Sequence, residues 1–367
     1  MVLLRPKIIR SFKVLICILL FIFLLNFCFS FVASKKDTYI DVSKNKIYQI
    51  ETSRNHDFFI YGNNLLMVSN ERITCINSRG AVLWESTVSF NNPIVKTAGK
   101  YIAIAEQDGT KIMLVSRGNV LCDFDSSGNI FTVDVNHKGF FTVVESESGY
   151  RNKLAVYNSS GKLIYTWKIS DSYVLTSDVS GSGRFLAVSM VDTSQSGVRG
   201  ILSLVDMHSA SAVFREEFDN RLYLSVKFSS GGAFSAVGDT DSVFYGTNGK
   251  LIRRVDYEDR QLHAFSHRKG ENFAVAFRNG SNTSTVESYS PSGGLRGSRI
   301  LDFVVSKLDS RDSKVISSSE SKIILTNHRG DVKKRLAFSG DFYWCGLSGN
   351  GFSLFLVSGS SIINIKI

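Results

Sequence analysis

The sequence predicts an all-β chain, an eight-bladed β-propeller closed by its own N- and C-terminal strands and preceded by one apolar membrane-spanning helix. Three observations predict it. A turn built around glycine returns about every 42 residues, a periodicity that marks a repeat architecture. No sustained helical period occurs after residue 36, and only Pro93 and Pro291 interrupt that region, so strands have few breakers. A spare strand near the start, Lys46 to Glu51, matches a unit at the end that is one strand short.

The N-terminal segment comes first. Val14 to Val32 consists of Leu, Ile, Phe and Val, broken only by Cys17, Asn26, Cys28 and Ser30. That length crosses a hydrocarbon core. At roughly −0.4 kcal/mol for each such residue, insertion is favoured by about 6 kcal/mol before the polar residues are charged against it. Arg5, Lys7, Arg10 and Lys13 precede the span and Lys35 and Lys36 follow, so the positive-inside rule keeps residues 1–13 in the cytoplasm and sends the rest across. Cleavage after Val32-Ala33-Ser34 is the competing expectation, but Phe29, Phe31 and Val32 crowd the place where small residues belong. The expected organisation is a cytoplasmic tail 1–13, a signal anchor 14–33, a linker 34–45 and a propeller 46–367.

Charge separates in the same way. The chain carries +10 from 43 basic and 33 acidic residues, and six of the basic residues lie before Asp37. The residual +4 shows no coherent basic face along the sequence, which argues against a nucleic-acid-binding body. A content of 43% hydrophobic and 12% aromatic residues excludes intrinsic disorder. Cys75, Cys122 and Cys345 each lie in an apolar run that predicts a buried strand, and an odd number of exported cysteines builds no disulfide framework.

The repeat then defines the domain. Gly80, Gly118, Gly161, a degenerate Ser211, Gly249, Gly293 and Gly330 mark one hairpin turn per unit, at intervals of 38, 43, 50, 38, 44 and 37 residues. Glycine suits such a turn because it adopts positive φ without steric cost. A second glycine turn opens the next strand at Gly139, Gly183, Gly232, Gly270 and Gly351. One unit thus holds four strands, clearest in Phe131 to Val135, Gly139 to Ser146, Lys153 to Asn158 and Lys162 to Ile169. The last unit supplies three, and the strand at Lys46 completes it and removes the open edges. Seven complete units and one shared unit make eight blades; seven is the alternative if the degenerate stretch 171–219 is counted otherwise.

Through Ser160-Gly161-Lys162 with Trp167, and Arg79-Gly80 with Trp84, the repeat resembles the eight-bladed quinoprotein-like and WD-like propellers. As a whole, the chain resembles the uncharacterised propellers of Gram-positive bacteria that carry one N-terminal membrane anchor. The quinoprotein likeness implies a quinone with calcium, often stacked on a disulfide of neighbouring cysteines, but the exported cysteines here are never adjacent. No cofactor is therefore expected. Trp84 and Trp167 are expected to pack between blades.

Candidate metal sites are weak. Asp123 to Asp134 has the outline of a calcium loop but lacks a terminal Glu and lies between strands, which predicts a plain turn. His263 and His267 share a face without a third ligand, so no metal is expected. No nucleophile elbow, zinc-binding helix or nucleotide loop is present. The basic tract of Lys322, Arg329, Lys333, Lys334 and Arg335 is expected to be a solvated strand face.

Recognition is expected on the connections between second and third strands, which open beside the blade-to-blade connections. Three are long: Glu145 to Asn152, Val191 to Gly200 and Arg278 to Thr285. They offer Glu147, Tyr150, Arg151, Asp192, Gln195, Arg199, Arg278, Asn279 and Asn282 as a binding face, since loops on a rigid scaffold carry recognition residues. The expected function is a non-catalytic binding or scaffolding platform outside the cytoplasmic membrane, for an envelope protein or a wall polymer. The alternative is an envelope glycan hydrolase or lyase with its site at the channel mouth.

Overall fold

The computed structural model describes residues 38–367 apart from 52–55, 195–196, 230–231 and 312. The span Val14 to Val32 lies outside them, and among the described residues no helix is long and apolar enough to cross a membrane. Among the described residues eight sheets form around the ring, each built on four antiparallel strands, and one of them carries a fifth, parallel strand. Blades 1 to 7 occupy 57–87, 93–125, 130–169, 173–219, 223–256, 262–301 and 307–338. Blade 8 takes Trp344–Leu347, Ser353–Ser358 and Ser361–Lys366 from the C-terminus and Lys46–Gln49 from the N-terminus. Closure is antiparallel, with Lys46 opposite Ile363 and Gln49 opposite Ser361, as the spare strand predicts. Eight sheets exclude the seven-blade alternative.

The first strand of each blade lies innermost and touches the first strand of at least one neighbouring blade. Hydrophobic clusters fill the spaces between blades, because each sheet buries both faces. Tyr61, Leu66 and Cys75 of blade 1, for example, meet Ile102, Met113 and Val115 of blade 2, while Phe58, Ile60 and Leu65 meet Phe355 and Ile362 of blade 8. The core is thus a ring of interfaces that depends on closure. Trp84 joins the cluster between blades 1 and 2, and Trp167 the cluster between blades 3 and 4, so both pack between blades.

The repeated glycines have two reasons to be glycine. Gly80, Gly118 and Gly161 have φ between 77° and 84°. Each also rests on the outer strand of the preceding blade: a Cβ on Gly80 would lie 2.0 Å from Ile47 O, and one on Gly118 3.0 Å from Trp84 Cγ. In the degenerate copy the left-handed residue is Ala210, φ 52°, one place before the expected Ser211. Asp206 there accepts the His208 amide at 3.0 Å and begins a turn one residue longer.

Residues 38–45, expected as linker, are part of the fold. Thr38–Ile40 runs parallel to the outer strand of blade 7, pairing with Leu336, Ala337 and Phe338, and Val42–Asn45 forms a 3-10 turn before the closing strand. The exposed edge of that blade offers free backbone groups, and Ile40 covers apolar surface between blades 7 and 8.

Candidate functional site

In an antiparallel meander the connections alternate between the two ends of the sheet. First-to-second and third-to-fourth turns share one face, here the short-turn face; second-to-third connections share the other with the blade-to-blade connections, here the loop face. Contacts across blades agree. Gly349 donates to Gly62 O at 2.7 Å between short turns of blades 8 and 1, and Asp108 donates to Ile130 O at 2.9 Å between blades 2 and 3 on the loop face.

The expected binding residues lie on the loop face, in two places. Blades 3 and 4 bring together Glu147, Tyr150 and Arg151 with Asp192 and Arg199. Glu147 lies 2.7 Å from Lys168 and 3.4 Å from Lys153, and the Lys168 hydrogen bond holds its carboxyl below the usual range. The Lys168 ammonium also lies over the Tyr150 ring at 5.4 Å. Arg151 donates to Tyr173 OH at 3.1 Å with its guanidinium 5.4 Å from the ring. Arg199 pairs with Asp219 and Glu217, each at 3.1 Å, and Asp192 accepts the Ser194 amide. Gln195 lies outside the described residues. Arg278, Asn279 and Asn282 sit apart on blade 6. There the strands Phe273–Asn279 and Thr283–Tyr289 run on into the expected loop and leave only 280–282, with Arg278 donating to Gly280 O and Asn279 to Thr285 Oγ1. The blade 4 loop is likewise shortened, since Asp192 pairs in register with Arg199.

Sequence reasoning missed the channel mouth on this face. Inner strands begin here, and Phe131, Tyr173, Leu175, Leu224 and Tyr343 lie exposed at or near their first residues, Tyr343 at 63%. A cleft of 680 Å³ opens beside it, lined by Ile50, His56, Asp57, Asn70, Pro93 and Tyr343 among others. The signal was present as an apolar residue early in each inner strand, but the same pattern marks buried strand positions.

Towards the short-turn face the channel wall becomes polar and buried. Lys227 of blade 5 lies 3.3 Å from Asp134 of blade 3. Asp134 is therefore committed to a lysine across the wall, and the outline from Asp123 to Asp134 is the end of one strand, the connection 126–129 and the start of the next. Asp178 accepts the Phe228 amide at 2.8 Å, and Asp309 accepts the Leu347 amide at 2.9 Å and Arg268 at 2.7 Å. Burial pushes the Asp178 carboxyl up to about 6. His267 bridges Ser225 and Ser235 at 3.0 and 2.9 Å, and burial, assisted by the Lys227 charge, pushes the imidazole down to about 3. His263 is exposed and separated from it by a register shift at Leu262 and Ala264, so the two histidines form no pair. Burial also lowers Lys269 and Lys307.

These perturbed groups staple blades together. The Ser-His-Ser arrangement has no carboxylate at the second ring nitrogen, so it lacks the orienting member of a hydrolytic triad. Among the described residues no three His, Cys, Asp or Glu side chains converge as a metal-ligand set. Cys75 and Cys345 are buried as expected, whereas Cys122 is only half-buried because the outer strand of blade 2 has one solvated side.

The fold also sorts charge, against the expectation of no coherent basic face. The short turns carry Arg79, Lys100, Arg117, Lys138, Lys162, Arg184, Lys250, Arg268, Lys269 and Arg329, against Glu271 and Asp331 among the described residues. The loop-face connections carry Glu51, Glu71, Asp108, Glu147, Asp171, Asp239, Glu258, Asp259, Asp302, Glu320 and Asp341, against Arg151, Arg221 and Arg260, while Lys153, Lys168, Arg199 and Arg278 stand at the strand ends beside them. Within the tract 322–335, Arg335 pairs with Asp302 at 3.6 Å and Lys334 reaches Lys366 O, while Lys322, Arg329 and Lys333 are exposed.

Comparison with solved structures agrees with the fold. The chain is similar to BamB from Moraxella catarrhalis, at 8% identity and TM-score 0.52, over 86% of this chain and 98% of that one. It is also similar to Sqt1 from Chaetomium thermophilum bound to the N-terminus of the ribosomal protein L10, at 11% identity and TM-score 0.59, over 88% and 100%. Likeness at such identity shows the propeller fold alone. Comparison with curated proteins gives no match by sequence. With eight blades closed by the segment after residue 38, the region that forms the ring is also the region matched by one family model, at residues 35–367: the chain belongs to DUF5711, a family of unknown function.

Proposed function

We propose that the protein is a non-catalytic binding platform that holds a segment of another envelope protein at the loop-face channel mouth. The observation that carries this reading is the exposed set Phe131, Tyr173, Leu175, Leu224 and Tyr343 at the mouth, surrounded by acidic loops. Aromatic and aliphatic anchors within a polar rim are the composition of a protein interface. The acidic surround suits a partner segment that is apolar and basic, and disfavours a polyanionic wall polymer. The perturbed titratable groups lie inside the wall, where Asp178 and Asp309 cap backbone amides, so the glycan hydrolase or lyase reading gains nothing from them. Sqt1, of the same fold, is seen with the N-terminus of another protein bound, which supports peptide capture as a use of such a ring.

The platform is held at the outer face of the cytoplasmic membrane. The apolar span Val14 to Val32 and the four basic residues before it support this topology.

A photo-crosslinking residue at position 224 or 150 of the full chain in native membranes tests the binding face. One discrete adduct, lost when Tyr173→Ala and Phe131→Ala are added and absent when the crosslinker stands at Ile252 on the outer rim, is expected. An adduct indifferent to Tyr173 and Phe131 refutes the assignment.

A further inference from the structure

The charge sorting gives the disc a polarity, and the entry of the chain gives that polarity a direction. Thr38–Ile40 runs parallel to Val332–Phe338, which begins at the short-turn face and ends at the loop face. Thr38 stands opposite Leu336, and the direction of its strand points back along Val332–Phe338 to the short turns. Five residues, 33–37, stand between Val32 and Thr38, and such a tether reaches at most about 20 Å.

We propose that the short-turn face lies against a membrane surface carrying anionic phospholipid headgroups, with Arg79, Lys162, Lys250 and Arg329 directed at the headgroups and the loop face turned away. The inference rests on the reading of residues 14–32 as an anchor. Three observations support it beyond the tether. The basic residues named stand exposed in turns of blades 1, 3, 5 and 7, around the whole circumference, so a flat anionic surface engages them together. Apolar pairs open the outer strands beside those turns, Val82 with Leu83, Leu163 with Ile164 and Leu251 with Ile252, and all six side chains are exposed. Basic residues interleaved with exposed apolar ones are the composition of surfaces that lie at a lipid interface. At the centre of the face, the Lys269 nitrogen is buried and, among the described residues, makes no hydrogen bond, with only the Asp178 charge acting to hold its proton. A nearby anion would satisfy it.

Hydrogen exchange on the full chain in lipid nanodiscs tests the orientation, comparing phosphatidylcholine alone with a mixture containing phosphatidylglycerol. Turns 77–81, 158–162 and 246–250 should exchange about threefold or more slowly in the anionic discs. The slowing should vanish at high salt, where the screening length falls to about 3 Å. Loop-face segments 146–151 and 257–261 should not change. The triple variant Arg79→Glu, Lys162→Glu, Lys250→Glu should lose the effect while its unfolding midpoint stays put. Slowing on the loop face, or no dependence on lipid charge, overturns the proposal. So does equal slowing by soluble polyphosphate over phosphatidylcholine discs, which marks a polyanion site instead. Carbonate extraction separates the two readings. A chain retained by the membrane without lipid-dependent slowing keeps the anchor and loses the face. A chain released by carbonate that still floats with phosphatidylglycerol vesicles, in a salt-sensitive way, keeps the face and loses the anchor.

Discussion

The Lys227 ammonium lies 3.3 Å from the Asp134 carboxylate, joining the inner strands of blades 5 and 3 past blade 4. Burial works against the charge on Lys227, and the Asp134 and Asp178 carboxylates outweigh it, holding the amine above its usual range. The side chains are 22% and 19% exposed, so the pair is neither a surface bridge nor a dry one. Lys227→Met strands two carboxylates in the wall, and a loss of about 2 kcal/mol is expected, below the range for fully buried pairs. Adding Asp134→Asn should restore part of it. Urea unfolding of the four species in a double-mutant cycle measures the coupling, and strictly additive losses would show that the contact does not form.

His267 and Asp178 give stability opposite dependences on pH. The folded imidazole titrates near 3 against an ordinary 6.5, so across that window the unfolded chain binds a proton that the folded chain does not, and stability falls on acidification. Asp178 titrates near 6 against 3.8, so the folded chain binds the extra proton and that group favours the fold as pH falls from about 6 to 4. His267→Gln removes the first effect. Relative to wild type, the variant should gain about 3 kcal/mol between pH 6.5 and about 4.5, at roughly 1.4 kcal/mol per pH unit. Denaturation midpoints across that range check it, and parallel wild-type and variant curves contradict a buried neutral imidazole.

Gly80 tests the closure. Alanine there must hold φ at 83° and place its Cβ 2.0 Å from Ile47 O in the closing strand. A cost of at least about 3 kcal/mol is expected, the left-handed penalty of 1–2 kcal/mol plus a displaced backbone. Gly62→Ala, with φ 57° and nothing within 4 Å of its Cβ, should cost only about 1 kcal/mol. Hydrogen exchange should quicken at Lys46–Gln49 in the first variant and not in the second.

Removing residues 361–367 takes away the strand that joins Lys46–Gln49 to Ser353–Ser358. The truncated chain should expose two strand edges and aggregate or lose its cooperative transition. A soluble truncation with an unchanged melting curve is incompatible with a ring closed in this way.

Thiol accessibility provides a further check. Burial pushes Cys75 up to about 12 and raises Cys345, whereas Cys122 is only half-buried. Brief alkylation of the native protein, mapped by mass spectrometry, should label Cys122 among these three and leave Cys75 and Cys345 until denaturant is added. Early labelling of Cys75 would show that blades 1 and 2 are not packed as described.

What the sequence by itself determined was whatever repeats locally. Gly161 and its counterparts require positive φ, each unit holds four strands, and Lys46 to Glu51 is the one strand left over for the unit that lacks one; the closure follows from these, whereas eight blades rather than seven waited for the sheets. The alternation of strand direction within each unit also placed the connections 145–152, 191–200 and 278–285 on one face. Tertiary structure decided the rest, because it depends on residues far apart in the chain. Arg79 and Lys250 look like scattered charges until the ring sets their turns on one face. Phe131 and Leu224 look like core residues until the inner strands leave their ends open at the channel mouth. His267 reads in sequence only as a histidine sharing a face with His263, and it is the hydroxyls of Ser225 and Ser235, brought in by blade 5, that fix it as a neutral staple of the wall.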